Sequence, residues 1–113
     1  MKHLKLIINN RYKKDNNFFN KNELKLILNL YAQMVSSGEW KDYGLHITKK
    51  EINFNVYKRA AEFPVYRITK NLTPKNENEK YLVKDVHGNV IKNSKNLETL
   101  IKKVRWKKIK LVN

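Results

Sequence analysis

Few side chains in this sequence are of the types that catalyse reactions, and their spacing matches no catalytic motif. The histidines His3, His46 and His87 are scattered and lack the spacing of metal ligands. The glycines cannot build a phosphate-binding loop, and the serines lack the context of a nucleophile elbow. No cysteine is present to supply a thiolate. We therefore expect neither a metal site nor a bound cofactor.

Three carboxylates provide the best case for an enzyme. Glu39, Asp42 and Glu62 could lie near one another where a helix meets a sheet. A pair of carboxylates is the minimum for general acid–base catalysis. In the other interpretation, these side chains pair with Arg59 and Arg67 in a structural ion network. We favour the structural interpretation and expect a protein that is not an enzyme, with a carboxylate-based hydrolase or nuclease as the alternative.

Positive charge is the strongest chemical signal in the sequence. The chain carries 25 Lys and Arg residues against 10 Asp and Glu residues, a formal net charge of +15. Such a surface attracts polyanions, first nucleic acid and second acidic membranes. The alternative is compositional, because Lys, Asn and Ile have A/T-rich codons and genome composition would produce the same bias. In that case the partner is another protein, and the charge has no binding role.

Basic and aromatic side chains come together at two places, the outward face of a predicted sheet and the C-terminal tail. In proteins that bind single strands, an aromatic ring stacks on a base while neighbouring cations follow the phosphates. The candidate residues for binding RNA or single-stranded DNA are Tyr57, Arg59, Arg67, Lys84, Lys103, Arg105 and Trp106. An ordinary solvated face has a similar composition, and Trp106 could instead close the core.

One long amphipathic helix is predicted to begin after Asn20. Asn20 is a good N-cap, and Glu23 stands where it completes a capping box. Gly38 suits the left-handed residue that follows a helix. Between them, apolar side chains recur at helical spacing and predict the buried face. This stripe comprises Leu24, Ile27, Leu28, Tyr31, Met34 and Val35, widened by Leu26 and Leu30.

After the helix, the apolar period changes from about 3.6 residues to about 2, which indicates strands. The predicted strands span residues 43–47, 52–56, 65–70, 80–86 and 90–92. Ile52, Phe54 and Val56 are predicted to face the core, so Asn53, Asn55, Tyr57, Arg59, Arg67, Thr69 and Lys84 are expected on the outward face. A second helix is predicted from Ser94 or Asn96, and residues 108–112 could add a terminal strand.

These elements predict an α+β fold with a helix, an antiparallel sheet of about five strands, and a C-terminal helix. Both helices are expected on one face of the sheet. We predict a single domain over residues 18–113, preceded by a basic, flexible leader over residues 1–17 with a short edge strand at 4–8. The sequence has no apolar run as long as a membrane span and no secretory signal, so we expect a cytoplasmic protein.

The string Gly38-Glu39-Trp40-Lys41-Asp42-Tyr43 connects the predicted helix to the predicted sheet. We expect Trp40 to be buried there against the first helix. The predicted structural corner comprises Gly38, Glu39, Trp40, Asp42, Tyr43, Glu62 and Tyr66.

This string and the later Glu62-x-Pro64-x-Tyr66-Arg67-Ile68 resemble a family of short, mainly alphaproteobacterial proteins, domain of unknown function 2794. The resemblance extends over residues 18–112, with Ala32 where members typically have glycine. It implies a bacterial cytoplasmic setting but no activity, cofactor or fold. The positions it marks for testing are Glu39, Trp40, Asp42, Tyr43, Arg59, Glu62, Tyr66 and Arg67.

Overall fold

A computed structural model describes residues 18–59 and 63–106 of the chain. Its helices and strands are α1 (Lys21–Ser36), β1 (Asp42–Ile47), β2 (Glu51–Tyr57), β3 (Tyr66–Asn71), β4 (Tyr81–Lys84), β5 (Val90–Ser94) and α2 (Leu97–Lys103), with a short 3-10 helix at Glu77–Glu79. In this part of the chain the strands form one antiparallel sheet in the order β1-β2-β3-β4-β5. The predicted α+β architecture is confirmed. The predicted leader, its edge strand and the terminal strand lie outside the described residues.

The covered face of the sheet is formed by alternate strand residues, as the period-2 pattern predicts. Its fully buried side chains are Ile52, Phe54, Val56, Ile68 and Val83. Ile27 of α1 and Leu100 of α2 belong to the same hydrophobic cluster and are also fully buried. Both helices therefore pack on one face of the sheet, and no described helix covers the other face, which we call the open face. Neither described helix has the length and apolar character needed to cross a membrane.

The start of α1 is set by local hydrogen bonds. The Glu23 N–H donates to Asn20 Oδ1 at 2.8 Å, and the Asn20 N–H donates to Glu23 Oε1 at 2.7 Å. These two bonds form the predicted capping box. The prediction for the far end was wrong at Val35, which is 42% exposed. Val35 follows buried Met34 and so lies about 100° around the helix from it, turned away from the core.

The end of α1 also follows the prediction. The Gly38 N–H donates to the Val35 carbonyl at 3.0 Å, and the Glu39 N–H donates to the Met34 carbonyl at 2.9 Å. This pair of bonds is the Schellman motif, which requires a left-handed residue after the helix. Gly38 has φ +83°, as the motif demands.

We expect Gly38→Ala to lower the free energy of unfolding by about 1–2 kcal/mol, the cost of a left-handed conformation for an L-residue. Apart from its two chain neighbours, no described residue has an atom within 4 Å of a Cβ added at Gly38, so the cost comes from the backbone and not from a clash. Urea denaturation measures the change. Gly38→Asn should recover part of the loss, because asparagine tolerates this conformation. An unchanged urea midpoint in Gly38→Ala would contradict the assignment.

Some element bounds differ from the predicted ones for local reasons. β4 ends at Lys84 because Asp85 begins a turn, in which its Oδ1 accepts the N–H groups of His87 and Asn89, each at 2.9 Å. α2 begins after Asn96, whose side chain accepts the Thr99 N–H at 2.9 Å. Of the two predicted starting points for this helix, Asn96 is therefore the N-cap.

Candidate nucleic-acid interface

Three of the predicted binding residues share the open face of the sheet. Arg67 of β3 lies opposite Asn55 of β2 on one side and Lys84 of β4 on the other. Tyr57 follows Asn55 by two residues on β2, so it is a diagonal neighbour of Arg67 on the same face. The strand register therefore places Tyr57, Arg67 and Lys84 together on the face away from the helices, as the sequence predicted.

A polar cleft lies in the open face beside Arg67. Its volume is about 320 Å³, and its lining consists of His46, Glu51, Asn53, Asn55 and Arg67. The residues come from β1, β2 and β3, so adjacent hydrogen-bonded strands hold the cleft together. We call this the Arg67 cleft.

Two polar atoms in the Arg67 cleft are buried without a hydrogen-bond partner among the described residues. They are the Nε of Arg67 and the Oδ1 of Asn55. Arg67 also forms no ion pair with a described carboxylate. A buried donor or acceptor left unpaired costs about 1–3 kcal/mol, and more when it is charged. Both atoms are themselves shielded from solvent, so this cost falls on the folded cleft.

The floor of the Arg67 cleft is more buried than the sequence indicates. Asn53 and Thr69 were expected to be outward-facing, and they are, but they are only 3% and 0% exposed. Thr69 Oγ1 donates to Asn53 Oδ1 at 2.5 Å, and Asn53 Nδ2 donates to Glu51 Oε2 at 3.2 Å. This chain of bonds fixes the Glu51 carboxylate at the side of the cleft.

Lys84 is paired with the same carboxylate. Its Nζ lies 3.3 Å from Glu51 Oε1, and the two side chains are 17% and 33% exposed. Burial by itself raises the pKa of Glu51, but the hydrogen bond from Asn53 and the charge and hydrogen bond of Lys84 outweigh it, so the pKa is lowered. Glu51 is therefore ionised at neutral pH and partly neutralises Lys84. Arg67 is the cation of this face that lacks a carboxylate partner among the described residues.

Tyr57 lies over Gly44, which has no side chain to fill the open face of β1. A Cβ added at Gly44 would lie 3.9 Å from both the Cε1 and the Oη of Tyr57. The ring therefore lies across β1 at Gly44, on the same face as Arg67. Tyr57 is half-buried in this position. A ring supported from below in this way is a suitable platform for a stacked base.

The other predicted binding residues lie elsewhere. Arg59 is exposed in the bend after β2. Lys103, Arg105 and Trp106 lie at the end of α2, on the side of the sheet that the helices cover. Lys103 Nζ donates to the Asn93 carbonyl at 3.2 Å, and Trp106 Nε1 donates to the Ile101 carbonyl at 2.9 Å. The candidates expected from the sequence thus fall on two separate surfaces.

Trp106 completes the corner between α1 and the sheet. Its ring meets Trp40 edge-to-face at 5.6 Å and Tyr66 at 5.1 Å. Trp40 is 2% exposed and lies 6.2 Å from the ring of Tyr31 in α1, which confirms its predicted burial against the first helix. The rings pack directly on one another, so the corner is an aromatic cluster that joins α1, β3 and the end of α2.

The two described carboxylates of the corner, Glu39 and Asp42, do not form the predicted ion network. Neither Glu39 nor Asp42 pairs with Arg59 or Arg67, and Asp42 Oδ1 instead accepts the Tyr43 N–H at 2.8 Å. The interpretation was wrong for these two residues, since each ion pair among the described residues is made by a lysine. Glu62 falls outside the described residues. Within the described ranges, no three His, Asp or Glu side chains come together as a metal site.

Sequence analysis missed a buried polar cluster on the covered side. Glu23 accepts hydrogen bonds from Lys70 Nζ at 2.9 Å and from the hydroxyl of Tyr81. Lys70 Nζ also donates to the Phe18 carbonyl at 2.9 Å. The cluster ties the start of α1 to β3 and β4. Alternation could have revealed it, because Lys70 and Tyr81 occupy core-facing positions and Glu23 lies one turn before Ile27.

The fold and the open face together define a small α+β protein whose antiparallel sheet is covered by helices on one side. Residues 17–101 match the family model described as Protein of unknown function (DUF2794). The protein belongs to this family, as the resemblance of the corner string indicated. No curated protein matches the chain. No solved structure matches it either.

Proposed function

We propose that this protein is a non-enzymatic module that binds single-stranded nucleic acid, RNA or DNA, on the open face of its sheet. The observation that carries the proposal is Arg67. It lies on the central strand of that face and forms no ion pair with a described carboxylate. Nucleic acid supplies the acceptors that such a group lacks.

The mechanism combines attraction and stacking. A net charge of +15 draws the polyanion to the protein, and exposed cations such as Arg59 neutralise its phosphates. Tyr57 then stacks on one base, and Arg67 binds the same nucleotide or its neighbour. Single strands are favoured because a base must leave its duplex stack to reach a half-buried tyrosine.

Fluorescence-anisotropy titration of matched single-stranded and duplex oligonucleotides over a salt series tests this proposal. We expect tighter binding of single strands and a steep linear fall of log affinity with log salt concentration. Nonspecific affinity is greatest at low salt, so absence of binding at about 50 mM salt would overturn the proposal. Equal affinity for duplexes and single strands would contradict the role of the open face.

Arg67→Ala and Arg105→Ala provide a matched pair of variants. Each removes one positive charge, but Arg67 lies on the open face whereas Arg105 is exposed after α2. We expect Arg67→Ala to weaken binding at least about tenfold, since a hydrogen bond to a charged group is worth about 1.5–3 kcal/mol. Arg105→Ala should change it far less. Equal losses in the two variants would show that only the total charge matters. Melting temperatures establish that both variants are folded.

The rival function is docking to another protein, with the charge a consequence of composition. Three apolar side chains at the β4–β5 hairpin favour it, because Val86, Val90 and Ile91 are 42%, 52% and 40% exposed. β5 is also the last strand of the sheet in the described residues, and edge strands can add a strand from a partner. The salt series separates the two functions, since a protein partner gives no oligonucleotide binding.

A further inference from the structure

We propose that a pocket at the corner of the fold binds an arginine side chain presented by a partner protein. The pocket has a volume of about 280 Å³ and lies at the end of the sheet where β2 ends and β3 begins. Its lining includes Glu39, Trp40, Tyr66, Asp85, Val86 and Trp106. We call it the corner pocket. It is separate from the open face, because Tyr66 precedes Arg67 on β3 and successive strand residues point to opposite faces.

Three aromatic rings line the corner pocket. The ring of Trp106 is inclined by 87° to that of Trp40 and by 82° to that of Tyr66. Trp40 is buried, whereas Tyr66 and Trp106 are half-buried and keep part of their surface for a ligand. The faces of such rings attract cations, and proteins use cages of aromatic rings to bind organic ammonium groups. The rings therefore favour a cationic ligand.

The carboxylates of the corner pocket favour the same kind of ligand. Glu39 and Asp85 line the pocket, and neither forms an ion pair with a described Lys or Arg. Burial, and after it the charge of Glu39, raises the pKa of Tyr66, which indicates that this carboxylate lies near the tyrosine hydroxyl. Asp85 Oδ1 accepts two N–H groups of its turn, while its Oδ2 accepts none from a described residue.

The local charge of the corner pocket is opposite to that of the whole protein. Lys58 also lines the pocket, but two carboxylates against one lysine leave the lining negative. The chain as a whole carries a net charge of +15. An anionic ligand such as nucleic acid would be repelled by the two carboxylates. The corner pocket is therefore suited to a different partner from the one proposed for the open face.

Arginine suits the corner pocket better than lysine. Its planar guanidinium stacks on aromatic rings and can donate to a carboxylate at the same time, whereas the ammonium of lysine is compact and strongly hydrated. The volume of about 280 Å³ also lies just below the range of about 300–1,000 Å³ that is typical of small-molecule sites. A single side chain is therefore a better match in size than a cofactor.

Exposed apolar side chains around the corner pocket indicate that the arginine belongs to a protein. Phe63 is 63% exposed and lies two residues before Val65, which lines the pocket. Val86 belongs to the lining and is itself exposed, as is Val90 at the start of β5. Protein interfaces combine an apolar centre with arginine, which is enriched in them. The expected ligand is therefore a segment in which apolar residues flank an arginine.

NMR titration of the whole ¹⁵N-labelled chain tests the site with blocked peptides of the form Gly-Leu-X-Leu-Gly, where X is arginine, lysine or glutamine. We expect the arginine peptide to shift the indole N–H signal of Trp106 and the amide signals of Glu39 and Val86. The lysine peptide should bind less tightly, and the glutamine peptide at least about tenfold less tightly. The net charge of +15 repels cationic peptides, so nonspecific attraction cannot produce this order.

Glu39→Gln and Asp85→Asn each remove one carboxylate charge and keep the shape of the side chain. The amide oxygen of Asp85→Asn can still accept the N–H groups of the turn. We expect each variant to weaken binding of the arginine peptide about fivefold, the effect of a partly exposed ion pair, and to leave the glutamine peptide unchanged. Glu77→Gln is the matched control, because Glu77 lies 4.0 Å from Lys95 Nζ on the exposed 3-10 helix. It should change neither affinity.

Three results would overturn the arginine site. The first is that the arginine peptide leaves these signals unmoved, or moves them no more than the glutamine peptide does. The second is an equal loss of affinity in Glu39→Gln and Glu77→Gln, which would show that only the total charge matters. The third is a shift of the same signals with protein concentration alone, which would make a second copy of the chain the occupant. The oligonucleotide titrations are independent of all three.

Discussion

Replacing Trp40 with alanine is expected to lower the free energy of unfolding by about 3–5 kcal/mol, the range for truncating a buried large aromatic. Trp40 is 2% exposed. Its ring lies 6.2 Å from Tyr31, 6.4 Å from Tyr66 and 5.6 Å from Trp106. One side chain thus contacts α1, β3 and the segment after α2.

The surroundings of Trp40 cannot close over the cavity that alanine would leave. Its backbone N–H donates to the Met34 carbonyl at 3.2 Å, which fixes the corner to the last turn of α1. Trp106 is held by its indole bond to the Ile101 carbonyl. The neighbouring rings therefore stay in place, and the lost contacts are not replaced.

Urea denaturation followed by circular dichroism measures the effect of Trp40→Ala. Trp106→Ala is the control within the same aromatic cluster, and its loss should be smaller because Trp106 is only half-buried. A folded Trp40→Ala variant with an unchanged melting temperature would show that the corner does not depend on this ring. Trp40 would then have to be considered as a contact for a partner.

Replacing Glu23 with alanine is expected to cost a similar amount, about 3–5 kcal/mol, because it leaves a buried charge without its partner. The side chains of Lys70 and Glu23 are 11% and 6% exposed. The hydroxyl of Tyr81 loses its acceptor in the same variant. The capping bond from the Asn20 N–H is lost as well.

The same cluster makes stability depend on pH. Burial by itself raises the pKa of Glu23, but hydrogen bonds from Lys70, Tyr81 and Asn20, with the charge of Lys70, outweigh it and hold the pKa below the ordinary 4.5. The folded protein therefore binds fewer protons here than the unfolded chain. This contribution is present in full above pH 4.5 and is lost as the pH falls through the lowered pKa.

Tyr81 adds the opposite dependence at alkaline pH. Burial and the nearby Glu23 carboxylate raise its pKa above the ordinary 10.0. The stabilisation is complete below pH 10 and is lost as the pH rises through the raised value. Between pH 4.5 and pH 10, Glu23 and Tyr81 should therefore make a constant contribution to the stability of the wild-type protein. We expect Tyr81→Phe to remove the loss of stability at alkaline pH.

The predicted loss of stability at low pH is tested by measuring the free energy of unfolding of the wild type, Glu23→Ala and Glu23→Gln between about pH 2 and 7. Both variants should lose much of the decline toward low pH. Glu98→Gln is the control, because Glu98 meets Lys102 at 3.5 Å on the surface, with the side chains 60% and 75% exposed. Such exposed pairs contribute about 0–1 kcal/mol. A loss in Glu23→Ala no larger than in Glu98→Gln would refute the buried pair.

The sequence by itself determined the elements whose signals are local. The capping box at Asn20 and Glu23, and the left-handed Gly38, depend on hydrogen bonds between residues a few positions apart. Alternation identified the core face of β2, and the turn signals identified the hairpins β1–β2 and β4–β5. The family followed from the corner string. These predictions succeeded because neighbours in the chain are also neighbours in space.

Only the tertiary structure decided how the charged and aromatic side chains are paired. Glu51 meets Lys84 and Glu23 meets Lys70 across long stretches of chain. Strand register, and not sequence spacing, put Asn55 beside Arg67 and left both with unpaired atoms. Packing of α2 carried Trp106 to the corner and away from the open face. These contacts form only after helices and strands have packed together. The free energy of each ion pair or ring contact depends on how deeply it is buried and on its neighbours, and the packing of the elements sets both.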